Sequence, residues 1–135
     1  MAKEAGLAYT TFSIDDSGAS VRTLVNDITN VDYSTPRGVQ DITGMDKSAI
    51  ERLLLLADYS ASITAVFNDA SNQMHDVFKT ISSTSVIRTI TSVISGQTLA
   101  VEAFLTDYPL TRASTGEFTA TVPAVLGDGT APTWT

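Results

Sequence analysis

The sequence predicts a mainly β protein: a two-sheet β-sandwich or flattened barrel, with one short flanking α-helix at about residues 72–81 and a long loop. Three observations predict it. Thr, Val and Ile together make up 40 of the 135 residues, and these side chains are stiff at χ1 and pack well on a pleated surface. Several segments alternate polar and apolar residues with period two. Helical spacing is confined to short stretches, so an apolar stripe long enough for a bundle is missing.

Taken in chain order, Tyr9 to Ile14 reads as a first strand and Asp16-Ser17-Gly18 as a turn. Val21 to Tyr33 reads as strand broken near Asn26-Asp27. Pro36-Arg37-Gly38 opens a loop, the Pro fixing φ and the Gly supplying freedom. Ile50, Leu53, Leu54 and Ala57 have helical spacing, and Ser48 with Glu51 fits a capping box. Leu53-Leu54-Leu55-Leu56 equally suits an extended arm. From Ser60 to Phe67, Ala61, Ile63, Ala65 and Phe67 share one face and Ser60, Ser62, Thr64 and Val66 the other. Met74, Val77, Phe78 and Ile81 then fall at i, i+3, i+4 and i+7, the core face of a short helix, with Asp69 or Ser71 upstream to cap it. Val86–Ile94 is apolar on both parities, as in a strand covered on two sides. Ser95-Gly96-Gln97 predicts a tight hairpin into Thr98–Thr106. Ser114-Thr115-Gly116 turns into a strand from Glu117, and Gly127-Asp128-Gly129 is a turn near the end. The whole of residues 1–135 reads as a single unit, with no repeat or linker.

Composition narrows the function. There is no cysteine and one histidine, His75, so a disulfide framework, a thiolate zinc site and a multi-histidine metal site are excluded. Eight Lys and Arg stand against 15 Asp and Glu, a formal net charge of −7. Such a surface gains nothing from the counterion release that drives proteins onto nucleic acid. The cations are also scattered along the chain. No run reaches the roughly 18 apolar residues of a membrane helix, and the N-terminal Met1–Gly6 stretch does not resemble a signal peptide.

No catalytic constellation stands out. The Gly-x-Ser-x-Gly elbow is missing, and His75 is expected on the solvated face of the short helix beside Asp76. Asp15-Asp16 lacks the spaced ligands of a calcium loop, and Gly127-Asp128-Gly129 lacks the flanking residues of a phosphate cradle. The reading is of a protein that is not an enzyme and needs no cofactor or metal. What requires explanation is apolar: Trp134 one residue from the end, the Leu53–Leu56 run, and the doubly apolar Val86–Ile94 segment. Together they suggest self-assembly.

The order of features also resembles a known family. A strand ending Thr29-Asn30-Val31-Asp32-Tyr33 leads through Pro36-Arg37-Gly38 and Val39-Gln40-Asp41-Ile42-Thr43-Gly44 to Ile50–Thr64. Val66-Phe67-Asn68-Asp69-Ala70 then runs into His75-Asp76-Val77-Phe78-Lys79, and the chain closes on Gly, Pro132 and Trp134. This resembles the major tail protein, or tail tube protein, of long-tailed bacteriophages, over nearly the whole chain.

The resemblance implies a β-sandwich flanked by a helix and hexameric rings stacked into a tube that carries the genome. The partners it implies are the chain itself as a homohexamer, tape-measure, tail-terminator and baseplate or tail-tip proteins, and genomic DNA in transit without specific binding. No membrane binding is implied, and the location would be the virion tail, with assembly in the host cytoplasm. Six copies at −7 each carry −42, which would repel the phosphates of a passing duplex. Asp27, Asp32, Asp41, Glu102 and Glu117 are the lumen-facing candidates. Pro36, Arg37, Gly38, Ile50, Leu53, Leu54, Leu55, Leu56 and Trp134, within or near the Pro36–Gly38 and Met45–Leu56 segments or at the chain end, are the subunit or ring-interface candidates. Competing readings are a capsid decoration or head–tail joining protein, the inner tube of a contractile injection machine, and a ligand-binding sandwich, for which no aromatic platform is visible.

Overall fold

The computed structural model describes residues 3–135; Met1 and Ala2, where the N-terminal stretch read above begins, lie outside the described residues. The described residues form β1 (Tyr9–Asp15), β2 (Val21–Thr23), β3 (Ile28–Ser34), β4 (Arg37–Asp41), β5 (Arg52–Ala57) and β6 (Ser60–Val66). Helix α1 (Met74–Phe78), β7 (Arg88–Ile94), β8 (Gln97–Leu105), β9 (Leu110–Arg112) and β10 (Phe118–Leu126) follow. The protein is thus mainly β with a short flanking helix, as the composition and alternation predict.

Eight strands share one antiparallel sheet in the order β2-β1-β7-β8-β10-β6-β3, with β9 continuing the line of β8 along β10. The two layers of the core are therefore two halves of one curled sheet. Phe12, Ile14, Ile90 and Val101 from one half and Ile63, Ala65, Val122 and Ala124 from the other are buried together. The curl brings β3 back towards β1, and Tyr33 of β3 lies within interaction range of Tyr9 of β1. It stops short of a closed barrel. A cleft of about 420 Å³ remains along the seam, lined by Tyr9, Phe12, Val25 and Ile28 among others.

Local sequence explains the joints. Ser95 and Gly96 both have positive φ, 49° and 83°, the twist a two-residue hairpin between β7 and β8 requires. Pro123 is tolerated inside β10 because it sits where β8 has ended and β9 has not begun. There its missing N–H has no ladder partner to lose, while its carbonyl accepts from Thr106 N.

Helix α1 is shorter than the spacing predicted. It buries Met74, Val77 and Phe78 completely, and Ile81 packs on the same core from the turn that follows. Neither Asp69 nor Ser71 caps it. Instead Asp27, from the turn before β3, accepts from Met74 N at 3.2 Å and from Asn68 Nδ2 at 2.8 Å. Asp76 reaches back to Asn72 N at 2.7 Å. At the other end of the helix the buried Arg88 guanidinium donates to Val77 O at 2.6 Å, to Asp15 O at 3.2 Å and to Thr80 Oγ1 at 2.9 Å. A carbonyl of the last helical turn is thereby satisfied by a cation. His75 is not solvated as expected. Its ring lies 4.9 Å from the Phe67 ring, and its Nδ1 hydrogen-bonds the Tyr108 hydroxyl at 3.0 Å.

Candidate assembly surfaces

Three regions outside the core carry the features that sequence alone left unexplained. The first is an arm. β4 and β5 pair with each other and with no other strand, in the register Val39↔Leu54, Gln40↔Leu53 and Asp41↔Arg52. The expected helix over Ile50–Ala57 is absent, and Pro36 leads straight into β4, which Arg37 and Gly38 open. Four consecutive leucines cannot all face one core, and in a strand they alternate between two faces. Ser48 and Glu51 make no capping box; Glu51 N donates to Thr43 Oγ1 at 2.8 Å, within the closed end of the hairpin. Arg37 Nε crosses to Leu55 O at 2.7 Å, and a Cβ on Gly38 would stand 3.2 Å from the Leu55 side chain, so the bare glycine lets Leu55 fold over it.

The arm's roots are fixed while its length is free. Tyr33 and Tyr59, which flank it, stack at 6.5 Å. Tyr59 is buried, and burial pushes its hydroxyl well above the ordinary tyrosine range. Asp58 N donates to Pro36 O at 2.9 Å, closing the base. Beyond that point Leu53 is 50 % exposed, Leu54 52 %, Leu55 39 % and Leu56 91 %. Val39, Ile42, Met45 and Ile50 are exposed too. Val39 and Ile42 were not singled out from the sequence, because each stands alone between polar neighbours.

The second region is the outward face of the large sheet. Its outward residues pair as Thr64 with Thr121, Ser62 with Pro123 and Asp32, Ser60 with Val125 and Ser34, and Val66 with Thr119, while Thr98 and Glu102 lie on β8 beside Val93 and Thr89 of β7. The Thr64 and Thr121 hydroxyls meet at 3.3 Å, and Ser34 and Ser60 at 3.2 Å. Thr89 donates to Glu102 Oε1 at 2.6 Å. Strands β3, β6, β8 and β10 contain no Lys or Arg, while Arg112 is exposed on the adjoining β9 and Lys3 near the N-terminus. Arg22 pairs with Asp16 at 3.0 Å, Lys79 pairs with Asp76 at 3.0 Å, and Arg88 is buried. Arg37, Lys47 and Arg52 belong to the arm. An apolar patch interrupts the face where Phe104, Val125 and Ile87 cluster.

The third region is the chain end. Trp134 pairs with Leu99 as an isolated bridge, and Thr135 exchanges backbone bonds with Thr98 at 2.8 and 2.9 Å. The end thus fills the stretch of β8 that β10 leaves open. The Trp134 ring lies 6.3 Å from Tyr33, and about half of it remains uncovered. Trp134 therefore packs in cis, with one side still available.

The five lumen candidates scatter. Asp32 and Glu102 stand on the hydroxyl-rich face. Asp41 lies on the arm, where Thr43 donates to it from Oγ1 and N at 2.5 and 2.9 Å, which holds its carboxyl below the usual aspartate range. Glu117 sits in the turn before β10, and a hydrogen bond from Thr115 holds its carboxyl low. Asp27 is a correction. It is buried and spent on the cap of α1, so it cannot line an open surface; the break read at Asn26-Asp27 was the signal that it belonged to a turn.

No model of a known protein family matches the chain, and no curated protein does. Solved structures do. The chain is similar to a chain in the tail of an empty gene transfer agent particle, refined helically with C6 symmetry. There the TM-score is 0.79 at 16 % identity, covering 98 % of this chain and 99 % of that one. A chain in the virion of the native gene transfer agent particle matches with TM-score 0.78 at 16 % identity, over 98 % and 99 %. A chain of the anti-feeding prophage baseplate, 6-fold symmetrised, matches with TM-score 0.66 at 9 % identity, over 100 % and 97 %. The fold is shared with these tail, virion and baseplate chains.

Proposed function

We propose that this protein is a tail tube protein, a single folding unit whose copies form hexameric rings stacked into the conduit of a phage-like tail. The observation that carries the reading is the match, over essentially the full length of both chains, to a subunit of a helical C6 tail. Two features support it. The arm and the half-covered Trp134 leave apolar surface that further copies of the chain would cover. The molecule also has unlike ends, with α1 capping one and the arm leaving from the other, as head-to-tail stacking into an open filament requires.

The bore is assigned to the hydroxyl-rich outward face. Ser and Thr hydroxyls with Asp32 and Glu102 offer phosphates no cation, and duplex DNA carries about one negative charge per 1.7 Å. DNA would pass without sticking. Catalysis has no part in this role. The partners are further copies of the chain, a tape-measure protein, a tail terminator and baseplate or tail-tip proteins; the place is the virion tail, after assembly in the host cytoplasm.

Electron microscopy of the purified protein over a range of concentrations tests the assembly: stacked rings are expected, while a monomer at every concentration removes the reading. For the bore, Asp32→Lys with Glu102→Lys should leave tubes intact and slow genome release at least tenfold. Unchanged release from such particles would move the bore to another surface.

A further inference from the structure

Of the chain's Asp and Asn residues, Asp128 alone precedes a glycine, and the fold treats this pair unlike other aspartates. An aspartyl side chain can be attacked by the peptide nitrogen that follows it, provided that nitrogen is free and uncrowded. After Asp27, Asp41 and Asp76 comes a β-branched residue, and Ile28 N, Ile42 N and Val77 N are spent on backbone carbonyls at 3.1, 2.9 and 3.2 Å. Asp16 N, which follows Asp15, is likewise held by Ser20 O at 2.9 Å. Gly129 is different. It is exposed, its N–H makes no hydrogen bond among the described residues, and a Cβ there would meet nothing within 4 Å. Its φ of 75° suits a residue without a side chain. Asp128 Oδ1 accepts from Thr130 N at 3.0 Å, so the carboxyl folds forward over the Gly129 peptide as an Asx-turn.

We infer that Asp128–Gly129 is a site of spontaneous aspartate isomerisation, and that the change releases the C-terminal strand from β8. Gly129 N bonds to the carbon of the protonated Asp128 carboxyl; the N–H proton and the carboxyl hydroxyl leave as water, and a five-membered cyclic imide remains. Water then opens the imide at the former main-chain carbonyl of Asp128. Mass is unchanged, the displaced main-chain carbonyl becomes the new carboxyl, and the chain gains a methylene. The location gives this small change its effect. Upstream the chain is fixed at Gly127, whose N donates to Glu102 O at 3.0 Å and whose missing Cβ leaves room for the Phe104 ring. Downstream it is fixed where Trp134 bridges Leu99 and Thr135 exchanges bonds with Thr98. The Asx-turn steers the chain between these points, and isomerisation draws the carboxyl that builds it into the main chain. The inference holds whether or not the protein forms tubes.

The test compares freshly purified protein with protein held for weeks at mildly acidic pH, where part of the carboxyl is protonated. Peptide mapping, with fragmentation that breaks the added Cα–Cβ bond, should find isoaspartate at position 128 at least tenfold above any other aspartate. Hydrogen exchange at the Thr98 and Thr135 amides should quicken at least fivefold in the aged protein, while the β7–β8 ladder at Ile90 and Val101 stays protected. Asp128→Glu keeps the charge but would have to close a six-membered imide, which forms far more slowly, so its aged and fresh samples should exchange alike. Isoaspartate at position 128 no more abundant than elsewhere overturns the site. Isomerised protein with unchanged exchange at Thr98 overturns the release, as does an aged Asp128→Glu variant that loosens equally.

Discussion

The curled sheet and the arm are built from similar residues and differ in what completes them. In the sheet, the inward apolar residues of each half meet those of the other half of the same chain, and among the described residues no buried side-chain polar atom lacks a partner. Even the buried cation Arg88 is met by two carbonyls and a hydroxyl. In the arm, leucines of the same kind meet water. The difference shows that sequence hydrophobicity alone does not mark a core: Leu53–Leu56 is more apolar than Ala61-Ser62-Ile63-Thr64, yet only the second sends residues, Ala61 and Ile63, inside. Alternation locates a layer that the chain covers itself, and its loss at an isolated ribbon marks a surface left for others.

The sharpest way to break this comparison is to shorten a side chain in each region. Phe78→Ala empties a site with no solvent access, and large-to-small changes of this kind cost about 3–5 kcal/mol. Leu54→Ala in the unassembled protein should change stability by less than about 0.5 kcal/mol. Urea denaturation of dilute protein measures both. Equal losses would mean that the arm folds against its own body in solution.

Next in size is Arg88→Leu. It removes the donors that serve Val77 O and Asp15 O, and stranded buried carbonyls cost about 1–3 kcal/mol each. Destabilisation of about 2–4 kcal/mol is expected. A variant as stable as the parent would show that water enters and replaces the guanidinium. Asp27→Ala should cost about 1–2 kcal/mol through the lost cap of α1, with Asp27→Asn costing less because the amide oxygen still accepts from Met74 N. Hydrogen exchange in α1 should quicken in the alanine variant while the ladders of β7 and β8 stay protected.

Much of this was legible in the sequence. The strands of the body, the Ser95-Gly96 hairpin and the apolar stripe of α1 follow from period-two alternation, turn chemistry and 3.6-residue spacing, each a local rule. Non-local facts were not legible. Asp27 caps a helix 47 positions away, a relation no window of residues contains. His75 looked solvated because Phe67 and Tyr108 come to it from other elements. Arg88 stands within an apolar run, and the Asp15 O, Val77 O and Thr80 Oγ1 groups that meet it come from other parts of the chain. In the candidate site, the leucine run and Trp134 could be singled out by bulk and position. The helical spacing of Ile50–Ala57 misled because four leucines in a row satisfy any period. The hydroxyl face was visible as the polar half of each alternating strand, but its freedom from cations depends on where Arg22, Arg88 and the arm's cations fold.

Acid separates body from arm most finely. Asp16 in the β1–β2 turn is held below the usual aspartate range first by Ser20 N, then by Gly18 N and Arg22; Asp41 on the arm is held low by Thr43. A depressed folded pKa gives stability that is present above the ordinary aspartate value near 4 and is lost as pH falls through the folded value. For Asp16, on a partly exposed ion pair, the loss should be less than about 1 kcal/mol, read as a small drop in urea midpoint between pH 5 and 3. Protonating Asp41 should not move that midpoint at all, since its hydrogen bonds join only the end of the arm. It should instead shift the Thr43 amide resonance, with an apparent pKa below that of an ordinary aspartate. A midpoint that follows the Thr43 titration would mean that arm and body unfold together, and the free-standing character of the arm would be lost with it.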